Sequence, residues 1–387
     1  MQANQQPSPN LDTQPVRLGR LLFKTGILFV VLNLIFSITY PLQLLGGISA
    51  YNLFFPGRAR LPYGDNPQKS YNLNLYNLEA MFASHEIHKT TKDTDEFRVI
   101  LIGDSATWGF LLPPEKTTTQ LINQGNHILS DGRQIQSYNL GYPVMSLTKD
   151  LLMMTKAMAY HPDLIVWAVT LESFPYDKQL FPPLLQNNAN SVRDLIQQHH
   201  LNMDPYSSDL IDLNFMDKTI VGSRRALADL VRLQLYGVMW AATGIDQEIP
   251  DTYTPALQDL TNDLSFHNLQ PPHLDRSKIA LDVLKAGFDI AGETPILLVN
   301  EPMLVSQGEN SDLRYNFFYP RWVYDDYRQL LSKLALEQNW HYLDLWDSIP
   351  ADEFTNSAVH LSPAGSQQYA DLLSQAILDL VQSDLSP

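Results

Sequence analysis

The segment Arg98-Val-Ile-Leu-Ile-Gly-Asp-Ser-Ala-Thr-Trp-Gly109 carries an apolar strand straight into Gly103-Asp104-Ser105. Far along the chain, Val359-His360-Leu361-Ser362-Pro363-Ala364-Gly365 offers a histidine in a loop that opens a helix. A serine hydroxyl is inert at its free pKa and needs a base within hydrogen-bond reach to become a nucleophile. A serine on a sharp turn at the carboxyl end of a sheet strand, with a histidine returned by a distant loop, meets that need. The implied chemistry is attack on an acyl carbonyl, with backbone N–H groups, Ser105's own among them, facing the charge that develops on oxygen. Gly-Asp-Ser alone is a weak signal, because Ser105 reads equally as a turn serine capping the next helix. Paired with the late His-Leu-Ser-Pro-x-Gly it is specific. Asp104 is expected to brace the turn, and Asn139 either supports the neighbouring loop or is an ordinary strand-end asparagine.

A second polar cluster joins Asn300-Glu301-Pro302 to Arg314-Tyr315-Asn316-Phe317-Phe318-Tyr319-Pro320-Arg321-Trp322. Glu301, Arg314, Tyr315, Asn316, Tyr319, Arg321 and Trp322 are the residue types that a polyhydroxylated ligand uses. Aromatic faces cover C–H surfaces, and forked donors hold hydroxyls or carboxylates. The competing reading is a structural loop pinned by its aromatics and an internal ion pair. His85 and His88 are three apart, one short of the helical zinc spacing. No metal-ligand constellation, Gly-rich phosphate loop or dinucleotide fingerprint is present, so no metal or cofactor is expected.

These residues need a scaffold. Short apolar runs at Phe97–Gly103, Ile135–Leu140, Leu164–Thr170, Pro295–Asn300 and His341–Leu345 are the strands a parallel sheet uses. Helical spacing lies between them: a capping-box pattern at Thr117–Gln120, a run opened by Asp275, another from Val323 to Leu334, and a last from Tyr369 to Leu380. Strands alternating with helices give an α/β class, a three-layer α/β/α domain with a parallel sheet. Ligands of such sheets bind beyond the carboxyl ends of the strands, where Ser105, Gly141 and His360 all fall. Residues 178–275 interrupt the alternation with a largely helical insertion, read either as a lid or substrate wall or as plain packing.

The paired blocks resemble the SGNH (GDSL-type) hydrolase family of lipases, carbohydrate esterases and polysaccharide O-acyl-processing proteins, over about residues 97–180 and 293–383. The resemblance implies a flavodoxin-like sheet, Ser105 as nucleophile, His360 as base, and the N–H of Gly141 in Tyr138-Asn-Leu-Gly-Tyr-Pro143 as a second oxyanion donor. Two departures stand out. Where the family's third block supplies an asparagine, this chain has Val169-Thr170-Leu171-Glu172-Ser173. The aspartate of the usual Asp-x-x-His is also missing: Ser357 lies three residues before His360 and Asn356 four before. The orienting role then falls to Asn356, to Asp352 or to a backbone carbonyl.

The formal charge of −16 speaks against a nucleic-acid partner, since phosphate binding wants a basic surface. With no cysteine, disulfides and thiolate chemistry are excluded. Thr25–Gly57 carries no charged residue and follows Arg17, Arg20 and Lys24. The expected organisation is a cytoplasmic tail at 1–24, a transmembrane signal-anchor helix at 25–46, a connector at 47–96 and the catalytic-type domain at 97–387 outside the cytoplasm. A cleaved signal peptide and a buried core helix are the alternatives. The resulting expectation is a single-pass, membrane-anchored serine esterase or O-acyltransferase. Its substrate would be an acylated glycan or other ester, acetyl above all, with a membrane-bound acyltransferase as a compatible partner. The alternative is a catalytically weak or inactive member of the fold that binds glycans or assists polysaccharide assembly.

Overall fold

A computed structural model of the chain describes residues 17–64 and 68–385; the expected tail falls largely outside the described residues. Five parallel strands form one sheet: β1 (Glu96–Ile102), β2 (Gln134–Asn139), β3 (Leu164–Val169), β4 (Ile296–Asn300) and β5 (His341–Asp344). Their order, β2-β1-β3-β4-β5, is the flavodoxin-like order. All five coincide with the apolar runs to within two residues.

Alternation along each strand builds two cores, because successive side chains point to opposite faces. Ile100, Ile102, Tyr138, Ile165, Trp167 and Leu298 pack on one face with helices Leu147–Ala157, Leu281–Ala291 and Arg321–Gln338. Val99, Leu101, Ile135, Val166, Leu297 and Val299 pack on the other with helices Thr118–Gln124 and Pro363–Leu385. The domain is therefore three-layered. The capping box expected at Thr117 does not form: its hydroxyl bonds Pro114 O, and the Gln120 amide reaches Glu86 instead of turning back.

The described chain divides into two compact units. One comprises the described residues up to Leu42 with Leu213–Leu227; the other holds Gln43–Asp212 and Ala228 onward, sheet included. In the first, helix Leu18–Thr39 has 22 residues and is long and apolar enough to cross a membrane. It ends at Thr39, with Tyr40 as its cap ahead of Pro41, and a separate short helix, Leu42–Gly46, follows. The connector joins the second unit: Arg58 and Arg60 are buried there, and the indole of Trp108 donates to Leu61 O at 2.8 Å.

Candidate active site

β1 lies between β2 and β3, where the strand order reverses, so the turn leaving its carboxyl end opens onto the switch point of the sheet. Gly103 makes that turn possible. A Cβ there would press on Thr107 and approach Ala168 O to 3.1 Å. Asp104 then caps the short helix Ser105–Trp108, its Oδ1 accepting from Ala106 N at 2.7 Å. The cap lifts Ser105 to the first helical position, where its own N–H has no intrahelical acceptor.

The loop before helix Pro363–Leu385 delivers the base. His360 Nε2 lies 2.8 Å from Ser105 Oγ, across 255 residues of sequence. On the other side of the ring, Nδ1 lies 2.9 Å from Asn356 Oδ1. Amide oxygen accepts and cannot donate, so this pairing places the ring proton on Nδ1 and leaves a lone pair on Nε2 facing the hydroxyl. Asp352 does not take part; it is exposed on the turn Ala351–Glu353. Phe110 stacks on the imidazole with centroids 4.8 Å apart. Burial, with no carboxylate beside it, pushes the His360 pKa down to about 4.

Residues distant in sequence hold this elbow. Arg60 donates to Gly109 O at 2.8 Å and Leu112 O at 3.0 Å, lies over Trp108, and pairs with buried Asp246 at 2.5 Å. Gln247 accepts from Leu111 N at 2.9 Å and donates to Leu112 O at 2.9 Å. The stretch of the insertion just past helix Arg224–Thr243 thus fixes the turn that carries Phe110. None of Arg60, Asp246 or Gln247 is conspicuous in sequence; an arginine in an Asn/Tyr/Pro-rich connector was the only available signal.

Asn139 ties the neighbouring loop to the elbow, donating to Thr107 O at 2.9 Å. The structure departs from expectation at Gly141. Its N–H donates to Asn139 Oδ1 at 3.0 Å, so it is committed inside the loop. Gly141 is needed for packing instead: a Cβ would stand 2.6 Å from Trp108 N and 2.8 Å from Thr107 Cγ2. Three residues on, Val144 adopts φ 81°, a conformation that is an outlier for a β-branched residue. Among the described hydrogen bonds, none uses the Val144 N–H. The loop runs beside the elbow, with Tyr142 N donating to Gly103 O at 3.0 Å. A β-branched residue gives no sequence hint of such a turn.

The third-block segment offers no replacement asparagine. Thr170 Oγ1 pairs with Tyr319 OH at 2.9 Å, and Glu172 N donates to the same oxygen at 3.0 Å. The Glu172 carboxylate meets Lys178 at 2.9 Å and His267 at 3.1 Å.

The expected glycan-contact cluster is a structural pin. Arg314 is buried and donates to Asn316 O at 3.2 Å, Phe317 O at 2.9 Å and Asp263 O. Asn316 bonds Leu304 O, Phe318 N and Tyr319 N. Tyr315 donates to Asp325 at 2.7 Å, Arg321 lies over the Tyr315 ring and donates to Ser311 O at 2.6 Å, and the Trp322 indole donates to Leu264 O at 2.8 Å. Tyr319 is fully buried. The polar atoms that would have met a sugar are spent on backbone and side-chain groups of the chain itself.

Glu301 is buried behind the elbow with Asp104, Asp150 and Lys149. The Lys149 ammonium donates to Gly103 O at 2.7 Å and Tyr142 O at 2.8 Å and lies 2.6 Å from Asp150 Oδ1. One ammonium faces three carboxyl groups. Burial raises the pKa of Asp104, and burial together with the nearby Asp104 raises that of Glu301 well above the usual carboxylate range. These two carboxyls face each other, so a shared proton is the arrangement that avoids two adjacent buried charges. Among the described residues, no group of three or more His, Asp or Glu is placed to hold a metal ion.

No protein-family model and no curated protein matches the chain. Among solved structures it is similar to a member of the lipolytic protein G-D-S-L family from Veillonella parvula, at 11% identity and TM-score 0.32, over 73% of this chain and 97% of that one. It is similar to a carbohydrate acetylesterase from Sinorhizobium meliloti, at 12% identity and TM-score 0.33, over 73% and 99%. An acetylxylan esterase from Geobacillus stearothermophilus, in a catalytic-mutant form, matches at 12% identity and TM-score 0.30, over 73% and 92%.

Proposed function

We propose that the chain is an SGNH-type serine esterase or O-acyltransferase, held to the membrane by helix Leu18–Thr39 and acting outside the cytoplasm on acyl esters of envelope glycans, acetyl above all. One observation carries the reading: Ser105, His360 and Asn356 form a hydrogen-bonded chain at 2.8 and 2.9 Å. In the first step Ser105 Oγ attacks the ester carbonyl while its proton passes to His360 Nε2. The oxyanion faces the N–H of Ser105, which has no intrahelical acceptor. Collapse breaks the ester C–O bond, and Nε2–H protonates the departing alkoxide, leaving an acyl-serine. Water or a sugar hydroxyl then gives its proton to Nε2 and attacks the acyl carbon; the acyl C–Oγ bond breaks, Oγ takes the proton back from Nε2, and the free acid or the new sugar ester leaves.

The acyl-ester class comes from the resemblance of the two sequence blocks, and the glycan from the anchor, which keeps the domain beside envelope polymers. Asn356 in place of an acid favours a second reading, a slow or inactive member that binds acylated glycan. The full chain in detergent, assayed with p-nitrophenyl acetate against longer acyl chains, separates the two. Acetate hydrolysis abolished in Ser105→Ala supports the esterase; hydrolysis equal to that of Ser105→Ala supports the binder.

A further inference from the structure

The first unit is organised inside out. Helix Leu18–Thr39 has two buried residues, and both are polar: Asn33 is 8% exposed and Ser37 4%. What covers them is the segment Asn214–Ser223, folded against one helix face. Asn33 Oδ1 accepts from Val221 N at 3.3 Å, and Ser37 Oγ donates to Phe215 O at 2.8 Å. Within the segment, Thr219 and Ser223 are buried, while Phe215, Met216 and Val221 are 53%, 66% and 47% exposed. On the helix, Phe29, Val30, Leu34 and Ile38 are exposed as well. Polar groups inside and large apolar side chains outside is the reverse of a water-facing surface.

The loop also satisfies most of its own backbone N–H groups. Asn214 Oδ1 accepts from Met216 N at 2.8 Å and Asp217 N at 3.1 Å. Thr219 Oγ1 accepts from Gly222 N at 3.0 Å, and Ser223 N donates to Thr219 O at 2.8 Å. Non-helical backbone at membrane depth is tolerated only where protein satisfies it in this way. Asn33 lies six residues before the helix end at Thr39, about 9 Å at helical rise. That is the depth to which interfacial apolar groups are buried, about 5–10 Å. Asp217 is exposed and acts on Tyr40, just past the helix end, which puts this charge at headgroup level.

We infer that Asn214–Ser223 is a lipid-inserted loop: it docks on the polar stripe Asn33/Ser37 of the membrane helix and buries Phe215, Met216 and Val221 in the outer interfacial layer of the bilayer. This second attachment rests on the anchor reading above. The continuity of the loop with the helix identifies the occupant as lipid.

The chain has no cysteine, so single-thiol variants of the full protein can be labelled at one site each. Ile27→Cys, Met216→Cys, Val221→Cys and Tyr206→Cys, each carrying an environment-sensitive fluorophore, are reconstituted into phosphatidylethanolamine/phosphatidylglycerol vesicles. Quenching by doxyl-lipids is compared with quenching by aqueous iodide. The expected result is strong lipid quenching at 27, severalfold greater lipid than iodide quenching at 216 and 221, and iodide quenching alone at 206. Lipid quenching at 27 with iodide quenching at 216 and 221 overturns the loop proposal and leaves the anchor standing. Protection of 216 and 221 from both quenchers overturns it in favour of a protein partner, a second copy included. Absence of lipid quenching at 27 removes the anchor and the loop proposal together.

Discussion

His360 Nδ1 and Asn356 Oδ1 stand 2.9 Å apart, so the imidazole is aimed by an amide where a serine hydrolase ordinarily uses a carboxylate. The amide orients the ring and selects the tautomer. It cannot supply the negative charge that stabilises the imidazolium formed when Ser105 gives up its proton. Amide-oriented histidines do serve cysteine nucleophiles, which need less help from the base.

Restoring the charge is therefore expected to raise turnover. Asn356→Asp keeps the side-chain length and places a carboxylate oxygen on Nδ1. In another fold the reverse change cost about 10⁴ in kcat, which sets the upper bound here. A rise of about 10- to 1000-fold in kcat for p-nitrophenyl acetate, with KM little changed, is the expected outcome, read from steady-state kinetics.

The same pair sets the pH profile. His360 is pushed down to about 4 by burial, and the base works only when neutral. The acid limb of kcat/KM is expected near pH 4, below the limb of an ordinary histidine at about 6.5. In Asn356→Asp the carboxylate favours the imidazolium, so the limb moves to higher pH. Rates measured from about pH 3.5 to 8 in both proteins check the sign.

Behind the elbow, Glu301 and Asp104 are both raised. A carboxyl whose pKa is raised by folding binds its proton more tightly when folded. The stability it carries is complete below its ordinary value and is lost as pH rises through the folded value. The melting temperature carried by this pair is expected to fall as pH rises above the ordinary carboxylate range. Glu301→Gln, which keeps the shape and a donor without a titrating proton, is expected to flatten that fall and to be the more stable protein at the alkaline end. Thermal melts across the range test it.

Val144 holds a backbone conformation, φ 81°, that costs a β-branched residue about 1–3 kcal/mol. Val144→Gly removes that cost against a smaller entropic loss in the unfolded chain. A gain of about 1 kcal/mol, or about 2–4 °C in Tm, is expected.

Where the sequence is legible follows from how local each determinant is. β1, the elbow and the histidine loop are contiguous words, each readable from its own residues, and Asn356 is readable because it is four residues from His360. The five strands are equally plain, since burial on both faces leaves continuous apolar runs. Gly141 misleads because a glycine beside a strand end serves either an oxyanion or close packing, and only the position of Thr107 and Trp108 decides. Arg314, Tyr315, Asn316 and Tyr319 have the composition of a sugar site, but composition does not say which way side chains point; here they point into their own loop. Lys149, Arg60 and Asp246 support the elbow through contacts that span tens to hundreds of residues, and no local pattern encodes such meetings.

Covalent labelling of the full chain with a fluorophosphonate, followed by peptide mass mapping, reads the nucleophilicity of Ser105 itself. The expected result is a single phosphonyl adduct on Ser105, formed slowly in the wild type, faster in Asn356→Asp, and absent from Ser105→Ala and His360→Ala. A wild type that forms no adduct under conditions where Asn356→Asp also forms none, or an adduct that survives in Ser105→Ala, would contradict it.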